Sequence, residues 1–498
     1  MKKISPSLIF STILLLGGAL RLYKLSDMDF WYDEAFTGVA IKESFSDMLS
    51  MIIQDVHPPL YYMSVQFFST PFDHSVFGIR FFSLLFGMLG IWGVFLFAKE
   101  LFSTKVALYA SFLTAISPFL IQYSQEGRMY SMLGALLLFS SYFFLRSLRT
   151  NSIKDFTLWS VFLGLSFLTH YLALLFAPMF FFVFLIWRSD GLSLKTITKK
   201  EMFSRFFPIK GVILGYLGSV LIFLPWLPQF LKHYGTNNLD WIQPATLGTI
   251  FHTMHIFLLG IPRGEYAGMP FPNPVFFFET STITFLIAIG VSFLIAFTWR
   301  KNPRKTSVLL FLSFGFMLFL MILSLFDKHY LVSRYVLPCA YFFSILLGFW
   351  LSKLNARYTF VIIAVYSFFL LTIPSPDYPR GFTLLTKESD RYEGKTFYLL
   401  NSFDYVIAKY YFGPEKVVLF NIDWPQYDST IWAAIGKEKL RKTENYADVK
   451  KDPNGIILHN TQYPWESRSD RSFSWEAFPL LKKYENISVY RSIPKEKL

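Results

Sequence analysis

Charge is scarce along this chain, and cysteine is almost absent. Only 16% of the 498 residues are Asp, Glu, Lys or Arg, against 53% hydrophobic and 20% aromatic. So little charge excludes the three or so soluble domains that this length would otherwise suggest, and it indicates a polytopic membrane protein. The single cysteine, Cys339, lies in an apolar run, so no intrachain disulfide is available and redox compartment is not legible from cysteine. Acids are rarer still than bases: 34 Asp and Glu stand against 47 Lys and Arg, a formal net charge of +13. The basic surplus sits in short connections between apolar runs, which is a topology pattern and argues against a nucleic-acid partner. No small-x-small cleavage site follows the first apolar run, which ends at Arg21, so that run reads as an uncleaved anchor. No glycine-rich phosphate loop opens a helix near the C-terminus, so no nucleotide site is assigned there.

What is present is a series of apolar runs of about 20 residues, the length that carries a helix across the roughly 30 Å bilayer core. Eleven are expected, at 6–23, 80–98, 105–122, 129–146, 155–170, 171–187, 209–231, 281–299, 306–326, 334–352 and 357–374. The fifth and sixth form one run, split at His170-Tyr171 as a tight hairpin. Alternate connections differ sharply in charge, with nineteen Lys and Arg on one side and five on the other before the C-terminal region. The rule that basic loops stay inside then puts the N-terminus in the cytoplasm. An odd number of spans puts the first long loop and the C-terminus outside. From about 375 the pattern changes. Thr396–Leu400, Lys416–Phe420, Gly455–Leu458 and Ile487–Tyr490 read as strands and Ser402–Tyr411 as a helix. The expected organisation is a transmembrane domain over 1–375 and a small soluble α/β extracytoplasmic domain over 376–498, read as a docking or acceptor-side module.

The first outer loop is patterned. Asp33 and Glu34 stand at a helix start, where the helix dipole favours negative charge. Phe45, Met48, Leu49, Ile52 and Ile53 follow helical spacing, which predicts an amphipathic helix lying in the membrane interface. Asp55-Val56-His57-Pro58-Pro59-Leu60 then closes one element and opens the next. A second polar junction, Tyr123-Ser124-Gln125-Glu126-Gly127-Arg128-Met129-Tyr130, falls at an outer helix end. Arg21, Arg80, Arg128 and Arg334 occupy outer helix ends against the charge trend. Singly they would snorkel to lipid headgroups. As a set they suggest a site for anionic phosphate, because a guanidinium offers fixed donors and stays charged.

These residues carry a resemblance. The Asp33-Glu34 pair, the run from Asp55 to Leu60, the 123–130 junction and Ser333-Arg334-Tyr335 resemble the protein mannosyltransferase-like glycosyltransferases of the GT-C fold, family 39. That family includes protein O-mannosyltransferases and the bacterial aminoarabinose lipid A transferases. The similarity is densest over residues 1–190, weaker to about 375, and least informative in the C-terminal region. The chain has no counterpart of the extra β-rich lumenal domain of the eukaryotic enzymes, which favours the bacterial branch. The resemblance implies a GT-C membrane fold of about eleven transmembrane helices. It also implies inverting transfer of a sugar from a polyprenyl-phosphate donor to a lipid, glycan or protein acceptor on the outer face of the cytoplasmic membrane.

The residues fit that chemistry independently. An incoming hydroxyl needs one general base, whereas a phosphate leaving group needs cationic stabilisation more than a proton. Asp33, matching the family's first-loop aspartate, is the expected base, with Glu34 beside it in the catalytic pair. Asp55, His57, Arg80, Tyr123, Glu126, Arg128 and Arg334 are the expected donor-phosphate and substrate residues. Glu34 and Asp55 are expected either to support that base or to ligate a divalent metal, the one cofactor the residues admit. His252 and His255 share a helix face but lack a third ligand at metal spacing. The loop 232–280, with Arg263, Gly264 and Glu265, resembles a substrate lid. The alternative is a transporter or flippase of lipid-linked glycans. It would place charges or broken helices at mid-membrane and show internal repeats. The spans here are nearly free of charge.

Overall fold

The computed structural model describes residues 4–188, 199–236, 242, 244–260, 274–326, 328–372, 380–400, 402–420, 442–443, 449, 451–460 and 478–492. In chain order the helices are α1 (Pro6–Leu22), α2 (Tyr32–Lys42), α3 (Phe45–Gln54), α4 (Leu60–Ser69), α5 (Val76–Leu101), α6 (Thr104–Ile116) and α7 (Pro118–Ser124). Then come α8 (Tyr130–Thr150), α9 (Ile153–Phe167), α10 (Leu172–Phe176), α11 (Pro178–Arg188), α12 (Lys199–Phe223), α13 (Leu227–Thr236) and α14 (Leu247–Leu259). The remainder are α15 (Pro274–Lys301), α16 (Pro303–Leu310), α17 (Phe316–Leu323), α18 (Leu337–Lys353), α19 (Ala356–Thr372), α20 (Gly381–Thr386) and α21 (Ser402–Phe412). Each of the eleven apolar runs falls on helix. Among the described residues five helical stretches are long and apolar enough to cross a membrane: Val76–Leu101, Tyr130–Thr150, Pro208–His233, Pro303–Leu323 and Ser333–Lys353. The bent pair α6–α7 makes a sixth, and shorter apolar helices occupy Pro6–Leu22, Leu172–Arg188, Leu247–Leu259 and Ala356–Phe368. The chain is an integral membrane protein.

Local chemistry explains the breaks. Ser5, Ser103 and Ser152 cap α1, α6 and α9 by accepting a backbone N–H in the first turn. Pro118 opens α7 and cannot donate to the carbonyl of Thr114, so the α6–α7 rod bends by 63°. The run from Pro303 to Leu323 stays continuous through a π-turn at Phe311–Gly315.

The molecule divides into two compact units. One comprises Met1–Tyr23 and Ser83–Pro376, the other Lys24–Phe82 and Asp377–Leu498. In the first, α8 and α18 are the most buried spans and Pro208–His233 the least. Its aromatic core centres on Trp159, whose ring lies 4.6 Å from Phe144, 5.7 Å from Phe180 and 5.1 Å from Tyr216. Where α6 meets α18, a Cβ on Gly348 would lie 2.7 Å from the Ala110 backbone nitrogen, so only glycine permits that approach.

The second unit joins the first-loop helices to a six-stranded sheet. Strands β1 (Thr396–Leu399), β2 (Val417–Phe420), β3 (Lys442–Thr443), β4 (Gly455–Asn460), β5 (Leu480–Tyr484) and β6 (Ile487–Arg491) lie in the order β3-β2-β1-β4-β6-β5. The first four are parallel, whereas β6 runs antiparallel to both β4 and β5. The period-two alternation of β1 splits its side chains. Tyr398 and Leu400 join Val418, Val449, Ile457 and Phe478 in one core cluster, while the Phe397 ring stacks 4.4 Å from Phe412 of α21. The expected strands and helix are all present, and β3 and β5 are additional. Helix α3 buries Met48, Met51 and Ile52, while Phe45 is 52% exposed. The inward face is therefore rotated from the expected stripe, with Met51 in place of Phe45. On α4 the i, i+4 pair Met63 and Phe67 is exposed, Phe67 at 86%.

Candidate functional site

The acids of the first loop take unlike environments although they are adjacent. Glu34 is buried and Asp33 is partly exposed, because successive residues at a helix start point about 100° apart. Both Glu34 oxygens accept from Arg80, Oε1 from Nε at 2.9 Å and Oε2 from Nη2 at 2.8 Å. Arg80 Nη1 also donates to the carbonyls of Leu25 and Met28, and Nη2 to that of Asp29. All five guanidinium N–H groups are thus used within the unit, in a planar bidentate pair plus three carbonyl contacts. Among the other first-loop residues, Asp55 Oδ2 sits 3.0 Å from Nδ1 of His57 and accepts from Tyr62 Oη at 3.2 Å. That fixes the imidazole ring through one nitrogen.

The segment before α2 is anchored by a third carboxylate. Asp29 accepts the backbone N–H of Phe382 at 2.8 Å and of Thr383 at 2.7 Å, at the start of α20. Burial pushes the Asp29 carboxyl above the usual aspartate range, and the bonds from Thr383 and Phe382 pull against that shift.

In the transmembrane unit a separate group forms around the 123–130 junction. Tyr123 is buried near the end of α7, with Glu126 and Arg334 as charged neighbours. Its ring lies 5.6 Å from Tyr130. The Arg334 guanidinium stands 5.8 Å from the Tyr130 ring and 5.7 Å from the Tyr335 ring, in cation–π range. Arg128 is buried, and its carbonyl accepts from Ser83 Oγ. His170 belongs to this group although sequence reasoning used it only as a hairpin marker. It is buried, with its ring 6.1 Å from Tyr130 and 5.3 Å from Tyr335, and its Nδ1 accepts the Leu172 N–H. A polar Thr169-His170 step inside an otherwise apolar run was the available signal.

Arg21, the fourth arginine of the set expected at outer helix ends, neither snorkels nor reaches a surface. It is fully buried and donates to the carbonyls of Thr114, Ala115 and Gly17 and to Ser124 Oγ. Thr114 is the carbonyl that Pro118 leaves without its helical donor, so Arg21 closes the break in the α6–α7 rod.

Among the described residues, no three His, Cys, Asp or Glu side chains are grouped to hold a metal ion. His252 and His255 form a ring pair 5.9 Å apart on α14. Arg263, Gly264 and Glu265 lie outside the described residues.

Comparison with known proteins extends this geometry. Residues 56–227 match the family model described as dolichyl-phosphate-mannose-protein mannosyltransferase. No curated protein matches the sequence. Among solved structures, ArnT from Cupriavidus metallidurans in the apo state superposes with a TM-score of 0.61 at 11% identity, covering 98% of each chain. The same protein bound to undecaprenyl phosphate gives 0.58 at 12% identity, again over 98% of each. The archaeal oligosaccharyltransferase AglB from Archaeoglobus fulgidus, in complex with an inhibitory peptide and a dolichol-phosphate, gives 0.53 at 11% identity. That match covers 91% of this chain and 69% of AglB. The chain has the GT-C fold, and over residues 56–227 it is like family 39 in sequence.

Proposed function

We propose that this protein is a membrane glycosyltransferase that moves a sugar from a polyprenyl-phosphate donor to a hydroxyl of a lipid, glycan or protein acceptor. The reaction takes place on the outer face of the bacterial cytoplasmic membrane and inverts the anomeric centre. The fold match to ArnT, one structure of which holds undecaprenyl phosphate, supports the donor class. The observation that carries the reading is the division of labour between Asp33 and Glu34. Glu34 is neutralised by Arg80, which leaves Asp33 as the partly exposed carboxylate at the N-terminus of α2.

In this reading the acceptor oxygen attacks the anomeric carbon and its proton passes to an Asp33 carboxylate oxygen. The bond from the anomeric carbon to the phosphate oxygen breaks, and polyprenyl phosphate leaves with the electron pair. A single displacement from the face opposite the phosphate gives inversion. Arg128 and Arg334 stabilise the second negative charge that the phosphate acquires, and Tyr123, Glu126 and His170 order that group. Arg80 shapes the catalytic helix instead of contacting phosphate, because its donors serve Glu34 and three carbonyls. Asp55 orients His57 on the substrate side. The exposed Phe45, Met63 and Phe67 seat α3 and α4 in the membrane interface.

The test is incubation of the purified protein with a panel of undecaprenyl-phosphate hexoses and pentoses and a bacterial cell-envelope extract as the source of hydroxyl acceptors, followed by mass spectrometry of the lipid fraction. One donor should lose its sugar with wild-type protein and keep it with Asp33→Asn. No loss from any donor, or equal loss with the variant, would remove the proposal.

A further inference from the structure

Helix α2 cannot hold itself in place. It is 11 residues long, a length at which isolated helices are marginal, and its N-cap, Trp31, makes no side-chain capping bond. Besides the Arg80–Glu34 pair and the contacts of α4, it is held by the C-terminal stretch of the same compact unit, through two consecutive tyrosines of α21. The Phe30 N–H, three residues before Asp33, donates to Tyr411 Oη at 3.0 Å. Tyr411 is in turn stacked on Phe382, with ring planes 7° apart at 5.9 Å, next to the N–H groups that Asp29 accepts. Farther along, Gly38 lies flush on the Tyr410 ring, where an added Cβ would come within 2.5 Å of Cδ2 and 2.6 Å of Cε2. At the helix end the Lys42 ammonium donates to the Tyr410 carbonyl at 3.1 Å and stands 3.9 Å over its ring. The Tyr32 ring meets Phe403, near the start of α21, at 4.7 Å. Tyr32 opposite Phe403 and Gly38 opposite Tyr410 make the two helices parallel, with both N-termini at the Asp33 end.

We infer that Tyr410 and Tyr411 are positioning residues for the Asp33 carboxylate, so that the C-terminal α/β segment is a working part of the catalytic apparatus. The inference rests on Asp33 being the general base. A base must come within about 2.6–3.2 Å of the proton it takes. Asp33 lies between the Phe30 and Gly38 contacts, so any slip of α2 on α21 is transmitted to its carboxylate. A misplacement of about 1 Å costs on the order of a hundredfold in rate. The donor-phosphate residues Arg128 and Arg334 belong to the other compact unit, so a slip of α2 should leave phosphate affinity untouched.

The experiment compares Tyr411→Phe, Gly38→Ala, Asp33→Asn and Val489→Ala in the purified full chain. Val489 is a buried β6 residue and serves as a stability control. The readouts are kcat with the donor that the panel identifies, affinity for undecaprenyl phosphate by titration calorimetry, and melting temperature. Tyr411→Phe and Gly38→Ala should each lower kcat about ten- to hundredfold with undecaprenyl phosphate affinity unchanged. Val489→Ala should lower the melting temperature and keep kcat. Wild-type kcat in both α2–α21 variants would overturn the inference. So would a kcat loss in Val489→Ala equal to theirs, since the effect would then be one of general stability. Full activity of Asp33→Asn would overturn the base assignment and the inference with it, and that failure is distinguishable because it shows at Asp33 itself, whatever Tyr411→Phe and Gly38→Ala do.

Discussion

Replacing Arg80 with alanine separates a structural arginine from a phosphate ligand. In the folded chain its five donors serve both oxygens of buried Glu34 and the carbonyls of Leu25, Met28 and Asp29. Removing the guanidinium strands a buried carboxylate, and breaking such a pair costs about 3–5 kcal/mol. The affected unit spans Lys24–Phe82 and Asp377–Leu498, and for a unit of that size each kcal/mol moves the melting temperature by about 2–4 °C. The expected drop is therefore about 6–20 °C. Arg80→Lys should recover only part of it, because one ammonium with three donors cannot span a carboxylate and three carbonyls. Pairing Arg80→Met with Glu34→Leu should recover more than Arg80→Ala, yet fall short of wild type, since the three carbonyls stay unpaired. Thermal unfolding in detergent, followed by tryptophan fluorescence, gives the melting temperature. Calorimetry gives undecaprenyl phosphate affinity, which should change less than twofold. A tenfold loss of affinity with an unshifted melting temperature would contradict the structural role and return Arg80 to the phosphate site.

Four further outcomes are expected. Asp33→Asn should lower turnover by about 10²–10⁴-fold while expression and undecaprenyl phosphate binding persist, as read by kinetics and calorimetry. Arg128→Ala and Arg334→Ala should each weaken undecaprenyl phosphate binding about ten- to hundredfold, corresponding to about 1.5–3 kcal/mol of charged hydrogen bonding, and lysine should rescue only partly. Because burial holds the Asp29 pKa above its unfolded value, the stability it contributes is complete below the ordinary aspartate range and falls as pH rises through the raised value. Asp29→Asn should flatten that decline in a series of melts at increasing pH. Against a background in which the native Cys339 is buried, Asp33→Cys and Glu393→Cys should react with an impermeant maleimide on intact cells, and Lys154→Cys should not. The reverse labelling would invert the topology.

Local pattern was legible in the sequence, and long-range pairing was not. Apolar runs and serine caps announce helices at short range, and period-two runs such as Thr396–Leu400 announce strands, so these segments were readable residue by residue. The helix start at Asp33-Glu34 was readable for the same reason. Strand β5 escaped because Lys482 and Lys483 interrupt its apolar pattern. It lies at the sheet edge, where Lys482 instead pairs with Glu388. The Arg80–Glu34 pair joins residues 46 apart, and Asp29 reaches N–H groups more than 350 residues away. No periodicity encodes such partners. Arg21 shows the same limit: its position at a helix end suggested lipid headgroups, while its partners include the carbonyls of Thr114 and Ala115, beside the break at Pro118 on another helix. The grouping of the first loop with the C-terminal sheet depends on these distant contacts, so composition alone separated the two stretches.

In the proposed reaction the donor's sugar–phosphate bond is broken outside the membrane with Asp33 as base. Sealed proteoliposomes carrying the purified chain and the identified undecaprenyl-phosphate sugar, labelled in the sugar, test it most directly. Phosphate and label are followed separately over time after acceptor is added. In that reaction undecaprenyl phosphate and glycosylated acceptor should appear in equal amounts, and Asp33→Asn should produce neither. Movement of the intact lipid-linked sugar from one leaflet to the other, with no bond broken and no dependence on Asp33, would contradict it and establish a flippase.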